Sequence, residues 1–339
     1  MNQEYISRQL SERLEKIEAE LERWLPKEIE PLWVEKVFSQ SAEKVDKESI
    51  QIPLTPLGDI LSRGGKRWRP LLMTLVCEIL GGGDAALGLS PLVEFCHNAS
   101  LIHDDIEDQS NERRGKPAIH LIYGMDTAIN SGSLFYFLST CCIDSCTIRS
   151  REEIYKIWAE YMRRLHLGQA MDINWHRHVS LVPQPDQYFL MCGFKTGSLA
   201  RLAAELGAYA AGASKETTQQ FGEAAEKMGI GFQILDDVKN LTTGIPGKKR
   251  GDDLIEGKKS LPVIKFLHKY PEKQEMVFNS FHAAKSSGLS APEVEKFIET
   301  LKTSGVLTEA EEEGRTLLKD ARAVFGNSEL IDGFFNLIS

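Results

Sequence analysis

The sequence lacks most of the features that mark a secreted, membrane-spanning or nucleic-acid-binding protein. Its six cysteines contain no C-x-x-C pair, so we predict neither a zinc site nor a disulfide framework, and their use fits a reduced, cytoplasmic compartment. A basic excess is missing too, because the formal net charge is −9, which argues against a nucleic-acid-binding surface. The N-terminus is charged from the start and shows no apolar segment of a signal peptide.

Long apolar runs are also missing. The longest stretch without a charged residue, 127–143, is 17 residues long and includes Asn, Ser and Thr. A helix that spans a membrane needs about 20 predominantly apolar residues, so we expect no transmembrane segment. Runs of alternating apolar and polar residues, which are typical of half-buried strands, are scarce. We therefore expect a protein that is built from helices.

Helical periodicity is abundant. In 92–106 and 221–235 apolar residues recur every three or four positions, and the first 35 residues predict an amphipathic helix. Segments rich in Gly, Pro and small polar residues interrupt this pattern at four places: 81–83, 181–186, 242–251 and 286–292.

The composition favours one large folded unit. With 42% hydrophobic and 26% charged residues, the chain has the make-up of a globular protein. No repeat, low-complexity linker or shift in composition marks a domain boundary. We predict a single all-α domain over 1–339, a large helical bundle with an N-terminal helical extension at 1–50 and C-terminal helices at 270–339.

Acidic residues crowd the end of one apolar segment, in the stretch HDDIED at 103–108. On a helix, Asp104, Asp105 and Asp108 share a face, because Asp108 follows the other two by four and three residues. Three like charges destabilise a helix end unless a cation lies between them, and hard oxygen ligands suit Mg²⁺. The alternative interpretation is an exposed acidic helix end that binds nothing.

A second acidic pair, Asp236 and Asp237, also follows an apolar helical segment. Asn240 stands where a third carboxylate would repeat the spacing of the first motif. The simplest arrangement that uses both motifs is a pair of facing helices that bind several Mg²⁺ ions through a diphosphate.

Basic residues gather near glycine turns, although the protein is acidic. The segment RGGKRWRP at 63–70 groups Arg63, Lys66, Arg67 and Arg69. Others follow the first acidic motif or flank later turns: Arg113, Arg114, Lys195, Lys248, Lys249, Lys258 and Lys259. Arginine can donate two parallel hydrogen bonds to a diphosphate from its planar guanidinium group, while lysine acts as a compact point charge. Each cluster alone fits a solvated surface, but together they predict anion binding.

Other phosphate-binding and hydrolase motifs are absent. Neither GIPGKKRG nor GAYAAGASK fits a P-loop, and no G-x-G-x-x-G follows a strand. His97 and His103 are six residues apart and do not share a helical face, so they are not a zinc-ligand pair. A metal phosphohydrolase built on His103 and Asp104 is a rival hypothesis, but it leaves Asp236 and Asp237 without a role.

Six motifs in order over about 60–265 resemble the all-trans polyprenyl (isoprenyl) diphosphate synthase family. They are GGKRWRP, HNASLIHDDIEDQSNERRGKPAIH, LGQAMD, KTGSL, GFQILDDVKN and GDDLIEGKKSLP. The resemblance implies a single all-α domain of long helices around a deep central cavity, with the acidic motifs facing each other across its mouth. It also implies a homodimer and a cytoplasmic enzyme.

The resemblance assigns a role to each matching residue. It implies about three Mg²⁺ ions per active site, held by Asp104, Asp105, Asp108, Asp236, Asp237 and Asn240. It implies that the allylic diphosphate is bound by Arg113, Gln169, Lys195, Thr196, Gln233, Lys248 and Lys258, with Asp172 nearby. Isopentenyl diphosphate would be bound by Lys66, Arg69, His97 and Arg114.

Three positions depart from the family pattern. Asn240 replaces a third aspartate, although an amide oxygen can still orient a metal-bound water. The sequence SGS at 131–133 stands where many members have Gly-Asp. In GKKRGDD, either Lys248 or Lys249 could be the diphosphate ligand.

The expected reaction is a prenyl transfer that lengthens an allylic diphosphate. Ala99 and Ser100, one helical turn before the first acidic motif, are small, so we expect the pocket to continue past fifteen carbons. Phe95 and the run 135–137, which begins with Phe135, would form a deeper floor. We expect a product of twenty carbons or more; the alternatives are a farnesyl diphosphate synthase, a non-catalytic subunit of a heteromeric synthase, or a class I terpene cyclase.

Overall fold

The computed structural model describes residues 3–148, 150–244 and 250–338, and these residues are mostly helical. The α-helices, in chain order, are α1 (Gln3–Trp24), α2 (Pro31–Phe38), α3 (Lys47–Ser62), α4 (Trp68–Ile79), α5 (Ser90–Glu107), α6 (Ile119–Tyr123), α7 (Met125–Leu138), α8 (Cys141–Asp144), α9 (Arg151–Arg177), α10 (Pro185–Cys192), α11 (Ser198–Ala210), α12 (Lys215–Thr242), α13 (Asp252–Glu256), α14 (Leu261–Lys269), α15 (Gln274–Ser287), α16 (Pro292–Ser304), α17 (Val306–Phe325) and α18 (Glu329–Ile338).

Two short features interrupt the helices and matter for function. A π-helix, Gly193–Gly197, joins α10 to α11. Strands β1 (Glu112–Arg113) and β2 (Lys116–Pro117) form an antiparallel hairpin just after α5. The sequence pattern predicted neither feature, because both are too short to produce a periodic signal.

The chain divides into two compact units. Unit 1 consists of Met1–Ala159, Leu202–Gly222 and Phe325–Ser339. Unit 2 consists of Glu160–Arg201 and Glu223–Val324. The single domain that we predicted over 1–339 stays a prediction.

Unit 1 is organised around α5, which is buried on most of its surface. Helix α7 lies against it, and Phe95 of α5 stacks on Phe135 of α7 with ring centroids 4.5 Å apart. Gly132 permits this approach, because a Cβ there would be 2.9 Å from Cε1 of His103. Burial of each phenylalanine contributes about 1.5–3 kcal/mol, so this contact anchors the helix that carries the first acidic motif.

Unit 2 packs α9, the π-helix and α12 unusually closely. A Cβ at Gly168 of α9 would lie 2.4 Å from the backbone nitrogen of Lys195, and one at Gly229 of α12 would lie 2.9 Å from Cα of Gly197. Glycines at these positions therefore bring the backbone of the π-helix against two long helices. Among the described residues of unit 2, one apolar cluster includes Trp175 and Tyr188, and another centres on α14 to α16.

The all-α prediction is confirmed. The segments 92–106 and 221–235 lie inside α5 and α12, and the predicted amphipathic N-terminal helix is α1. The breaks at 81–83 and 286–292 separate helices as expected. Along the described ranges, no helix is both long and apolar enough to cross a membrane.

Candidate active site

The first acidic site consists of Asp104, Asp105 and Asp108 at the C-terminal end of α5, with Arg113 opposite. Nε of Arg113 donates to Oδ1 of Asp105 at 2.8 Å, and a second guanidinium nitrogen lies 3.5 Å from Oδ2 of Asp104. The side chain of Asp105 is 1% exposed, and its Oδ2 is buried without a hydrogen-bond partner among the described residues. One carboxylate oxygen is thus unsatisfied at the place where a cation is expected.

Charge compensation explains why Asp105 can be buried. Burial raises the pKa of its carboxyl group, and the hydrogen bond from Arg113 opposes that shift. Burial also works against the charge of Arg113, but Asp105 and Asp104 raise the pKa of Arg113 above its ordinary value. Each group thus offsets part of the cost of burying the charge of the other.

The β1–β2 hairpin positions both arginines of the ERRG stretch. Arg114 and Gly115 form its two-residue turn with φ of 54° and 74°, which is the geometry of a type I′ turn. Arg63 ties the hairpin down, since its Nη1 donates to the carbonyl oxygens of Arg113 and Pro117 at 3.1 and 2.9 Å. Arg63, which the sequence grouped with the anion-binding residues, thus has a structural role.

Arg67 is a second correction within the same basic segment. Its guanidinium forms ion pairs with Glu94 at 2.9 Å and Glu18 at 2.7 Å, and donates to the carbonyl oxygen of Leu61. Burial opposes its charge, but the two glutamates raise the pKa of Arg67 above its ordinary value. Arg67 is committed to these carboxylates and is not placed to bind a diphosphate.

Arg69, Arg114 and His97 form a cationic cluster in unit 1. Removal from water and, to a smaller extent, the charge of Arg114 lower the pKa of Arg69 to about 10, although Glu94 opposes the shift. Removal from water likewise lowers the pKa of Arg114 to about 10. Burial first, and then Arg69 and Arg114, hold the pKa of His97 well below its ordinary value. Burial and neighbouring arginines therefore disfavour positive charge on all three groups, and a bound anion would oppose this effect.

The partners of this cluster are mostly neutral. Nη1 of Arg114 donates to the carbonyl oxygen of Ile60 at 3.2 Å and to Oδ1 of Asn98 at 3.1 Å. Nε of Arg69 is buried and has no hydrogen-bond partner in the part of the chain that the structure describes. Lys66 is exposed, and its Nζ lies 3.5 Å from the carbonyl oxygen of Ile338.

The second acidic site lies on α12 and has different surroundings. Asp237 is 7% exposed; its Oδ1 accepts from Nε2 of Gln233 at 2.9 Å and its Oδ2 from the hydroxyl of Tyr188 at 2.6 Å. The hydroxyl of Thr196 donates to Oε1 of Gln233 at 3.0 Å. Burial, together with the charges of Asp253 and Asp236, raises the pKa of Asp237 to about 7, while Tyr188 and Gln233 oppose the shift.

Asn240, which we predicted to be a metal ligand, is deeply buried and contacts the start of α13. It is 1% exposed, and its Oδ1 accepts from the backbone N–H of Asp253 at 3.4 Å. Its Nδ2 is buried without a hydrogen-bond partner among the described residues. The structure thus gives Asn240 a contact with the start of α13, and its role as a ligand stays a prediction.

Lysines approach Asp172, which lies on α9 one turn after the half-buried Gln169. Nζ of Lys195, from the π-helix, lies 2.6 Å from Oδ2 of Asp172. Burial alone would raise the pKa of Asp172, but Lys195 and Lys258 lower it. π-helical turns often occur at functional sites, and here the turn presents Lys195 and Thr196.

Neighbouring lysines of the GKKS segment have separate roles. Lys258 forms an ion pair with Glu256. Lys259 is 3% exposed and donates to the carbonyl oxygens of Trp175 and His178, so it caps the end of α9. Burial lowers the pKa of Lys259 to about 8. Lys248 and Lys249, the alternative diphosphate ligands, lie outside the described residues.

The predicted chain-length residues lie together in unit 1. Ala99 is fully buried, and the hydroxyl of the half-buried Ser100 donates to the carbonyl oxygen of His97 at 2.8 Å. Phe95 and Phe135 are buried against each other. Phe137, however, is 65% exposed and does not belong to the expected floor.

Some prominent site contacts had no signal in the sequence. Tyr188 resembles any core aromatic, and Asn98 and Glu94 lie in an apolar segment, although together they link Arg114 to Arg67. Within residues 3–148, 150–244 and 250–338, no three His, Cys, Asp or Glu side chains form a ready metal-binding group. Carboxylates repel one another when no cation lies between them. Here Asp105 is paired with Arg113, and Asp237 accepts hydrogen bonds from the neutral Tyr188 and Gln233.

Comparison with known proteins decides the family. The model of the polyprenyl synthetase family matches residues 51–300. The chain belongs to this family. A geranylgeranyl pyrophosphate synthase of Penicillium janthinellum (janG) is 36% identical over 67% of this chain and 61% of that relative. A geranylfarnesyl diphosphate synthase of Aeropyrum pernix is 33% identical over 80% of this chain and 86% of that relative.

Solved structures show the same fold. The geranylgeranyl pyrophosphate synthetase of Pyrococcus horikoshii has a TM-score of 0.83 and 24% identity, covering 99% of this chain and 97% of that one. A polyprenyl synthase of Caulobacter crescentus, solved with calcium and isoprenyl diphosphate, has a TM-score of 0.76 and 21% identity over 99% and 95%. The predicted family, fold and enzyme class, a polyprenyl synthase acting as a prenyltransferase, are confirmed.

Proposed function

We propose that this polyprenyl synthase condenses isopentenyl diphosphate with an allylic diphosphate to give an all-trans polyprenyl diphosphate of twenty carbons or more. The observation that carries the proposal is the cluster of Arg69, Arg114 and His97, in which Nε of Arg69 is buried without a hydrogen-bond partner among the described residues, while burial and neighbouring arginines lower the pKa of each group. A phosphate anion would stabilise the charges of the two arginines here, because it would compensate both their burial and the repulsion from neighbouring arginines. We assign this cluster, with Lys66, to isopentenyl diphosphate.

The acidic residues fit a divalent cation. The unsatisfied Oδ2 of Asp105 and the buried carboxylate of Asp237 are hard oxygen donors of the kind that Mg²⁺ prefers. We propose as ligands Asp104, Asp105, Asp108, Asp236 and Asp237, with Asn240 contributing through its amide oxygen. When bound, Mg²⁺ supplies positive charge that stabilises the leaving diphosphate.

The residues around the allylic diphosphate stabilise charge and do not move protons. Arg113, Lys195 and Lys258 are cations placed beside carboxylates, and Thr196 and Gln233 present neutral donors. As the allylic C–O bond breaks, its electron pair leaves with the diphosphate, and these donors stabilise the developing charge. The double bond of isopentenyl diphosphate attacks the carbocation, and the released diphosphate takes the proton.

Product length follows from the residues of α5. Ala99 is small and fully buried, whereas Phe95, one turn earlier, stacks on Phe135. We propose that the prenyl chain grows past Ala99 and stops at the Phe95–Phe135 pair. The Aeropyrum pernix and Penicillium janthinellum relatives, named for longer-than-fifteen-carbon products, support this assignment.

We also propose that the enzyme is a cytoplasmic homodimer. All six cysteines are free thiols, which suits a reducing compartment. Helices α6 and α7 expose five large apolar side chains: Leu121, Ile122, Met125, Ile129 and Phe137. A second copy of the chain would cover such a face. Light scattering on the purified protein checks this; a monomer at micromolar concentration would contradict it.

The decisive test of the function is a product assay. Purified protein is incubated with farnesyl diphosphate, isopentenyl diphosphate and MgCl₂, and the prenyl products are separated by length. We expect products of twenty carbons or more, and Ala99→Phe should shorten them. No turnover by the protein alone would favour a non-catalytic subunit, and turnover without isopentenyl diphosphate would favour a cyclase. An Ala99→Phe product of unchanged length would remove Ala99 from the pocket.

A further inference from the structure

Tyr188 makes a contact that apolar packing does not explain. Its hydroxyl donates to Oδ2 of Asp237 at 2.6 Å, and Tyr188 and Asp237 are 1% and 7% exposed. The ring belongs to an apolar cluster with Trp175 and Ile234, where a phenylalanine would fill the same space. The hydroxyl is therefore the part of Tyr188 that is directed to a specific partner.

Asp237 is held by neutral donors on both of its oxygens. Gln233, one turn earlier on α12, donates to Oδ1 at 2.9 Å, and Thr196 fixes Gln233 by donating to its Oε1 at 3.0 Å. Each carboxylate oxygen has room for more than one hydrogen bond or ligand. Tyr188 and Gln233 thus fix the plane of the carboxylate while leaving electron pairs for a cation, and neither adds a positive charge that would compete with it.

We propose that Tyr188 is a positioning residue that holds the carboxylate of Asp237 in the orientation in which it binds Mg²⁺. The inference rests on the proposed function, because it takes Asp237 to be a metal ligand. Partners of metal ligands act in this way elsewhere, and their loss typically weakens metal binding by about 10–100-fold. Tyr188 comes from α10, so the contact also ties the π-helix segment that follows α10 to the second acidic site.

The test compares Tyr188→Phe with the wild type by metal-dependent thermal stabilisation. Full-length protein is held with a fixed concentration of inorganic diphosphate and titrated with MgCl₂, and the Mg²⁺ concentration at half of the full rise in melting temperature is recorded. We expect that concentration to increase about tenfold in Tyr188→Phe. Tyr270→Phe, which removes a hydroxyl from the other apolar cluster of unit 2, should behave as the wild type.

Steady-state kinetics separate positioning from a purely structural role. In Tyr188→Phe, the Mg²⁺ concentration for half-maximal activity should rise by a similar factor, while KM for isopentenyl diphosphate stays within about twofold of the wild type. An unchanged Mg²⁺ requirement in both measurements would overturn the inference. Folding is checked by circular dichroism without metal.

Asp237→Asn distinguishes the two failures. If Asp237→Asn weakens the Mg²⁺ response and Tyr188→Phe does not, the positioning role of Tyr188 is wrong and the proposed metal site stands. If Asp237→Asn itself leaves the Mg²⁺ response unchanged, the assignment of Asp237 as a ligand is wrong, and the inference about Tyr188 falls with it.

Discussion

The two acidic sites look alike in sequence but are stabilised in opposite ways. Asp105, in unit 1, is buried against the guanidinium of Arg113. Asp237, in unit 2, is buried against a phenol and an amide, and both of these partners are neutral. In each case a carboxylate is held inside the protein, but a counter-charge from the fold accompanies the first and not the second.

The difference predicts which carboxylate depends more on a bound cation. Arg113 offsets part of the cost of burying Asp105, so the first carboxylate has a counter-charge from the fold even in the absence of metal. At the second site, burial and neighbouring acids raise the pKa of Asp237 to about 7, which shows that its charge is poorly compensated. We expect the first site to be sensitive to loss of its arginine and the second to addition of a positive charge.

The largest effect should follow Arg113→Met. This change leaves the nearly inaccessible carboxylate of Asp105 without its counter-charge, and breaking a buried ion pair typically costs about 3–5 kcal/mol. We expect the free energy of unfolding, measured in urea without metal, to fall by about 3 kcal/mol. Prenyl transfer should also fall by about a hundredfold or more, because a donor to the diphosphate is lost.

Two controls identify the source of that loss. Arg315→Met breaks an exposed pair with Glu311 and should cost less than about 1 kcal/mol. The double variant Arg113→Met with Asp105→Asn removes both charges, so it should recover stability but not activity. A double variant as unstable as Arg113→Met would mean that packing, not charge, accounts for the effect.

A smaller effect should follow Gln233→Lys, which gives the second site the kind of partner that the first one has. Gln233 lies one helical turn from Asp237 and within hydrogen-bond distance of it, so a lysine there can reach the carboxylate. The ammonium group would compete with the metal, and we expect the Mg²⁺ concentration for half-maximal activity to rise about tenfold or more.

The matched control for this change is Gln233→Met, which removes the amide without adding charge. It should raise the Mg²⁺ requirement less than Gln233→Lys does. Equal effects of the two variants would show that the lost hydrogen bond, and not the new charge, weakens metal binding. In that case the neutrality of the second site would have no functional meaning.

The sequence predicted the helices and the residue types of the site more fully than their partners. Apolar spacing located α5 and α12, because a helix that packs in a core must repeat its apolar residues every three or four positions. The acidic motifs stood out because like charges rarely gather at the end of a buried segment. Both signals are local, and a single sequence contains them.

Contacts between distant residues could not be predicted in the same way. The four arginines and lysines of RGGKRWRP are alike in sequence, yet Arg67 is committed to Glu94, and Arg63 to the hairpin. Tyr188 and Asp237 are 49 positions apart, and no periodic pattern links them. The role of each of these polar residues depends on a partner that is distant in sequence, and the sequence pattern does not identify that partner.

The smallest expected effect is a pH dependence of the free energy of unfolding that arises from His97. Unfolded chains protonate histidine near pH 6.5, whereas burial and the charges of Arg69 and Arg114 keep His97 neutral in the fold to much lower pH. Below pH 6.5 the unfolded state therefore binds one proton more than the folded state. Stability from this group is complete above pH 6.5 and is lost as the pH falls, by at most about 1.4 kcal/mol per pH unit.

His97→Gln should remove this contribution. Between pH 7 and pH 5.5, the free energy of unfolding of the variant should fall by about 1 kcal/mol less than that of the wild type. Inorganic diphosphate should diminish the acid loss of the wild type, because an anion in the cationic cluster favours the protonated imidazole of His97. Equal slopes in the wild type and the variant would mean that burial and the two arginines do not lower the pKa of His97, and the assignment of this cluster to a diphosphate would lose that support.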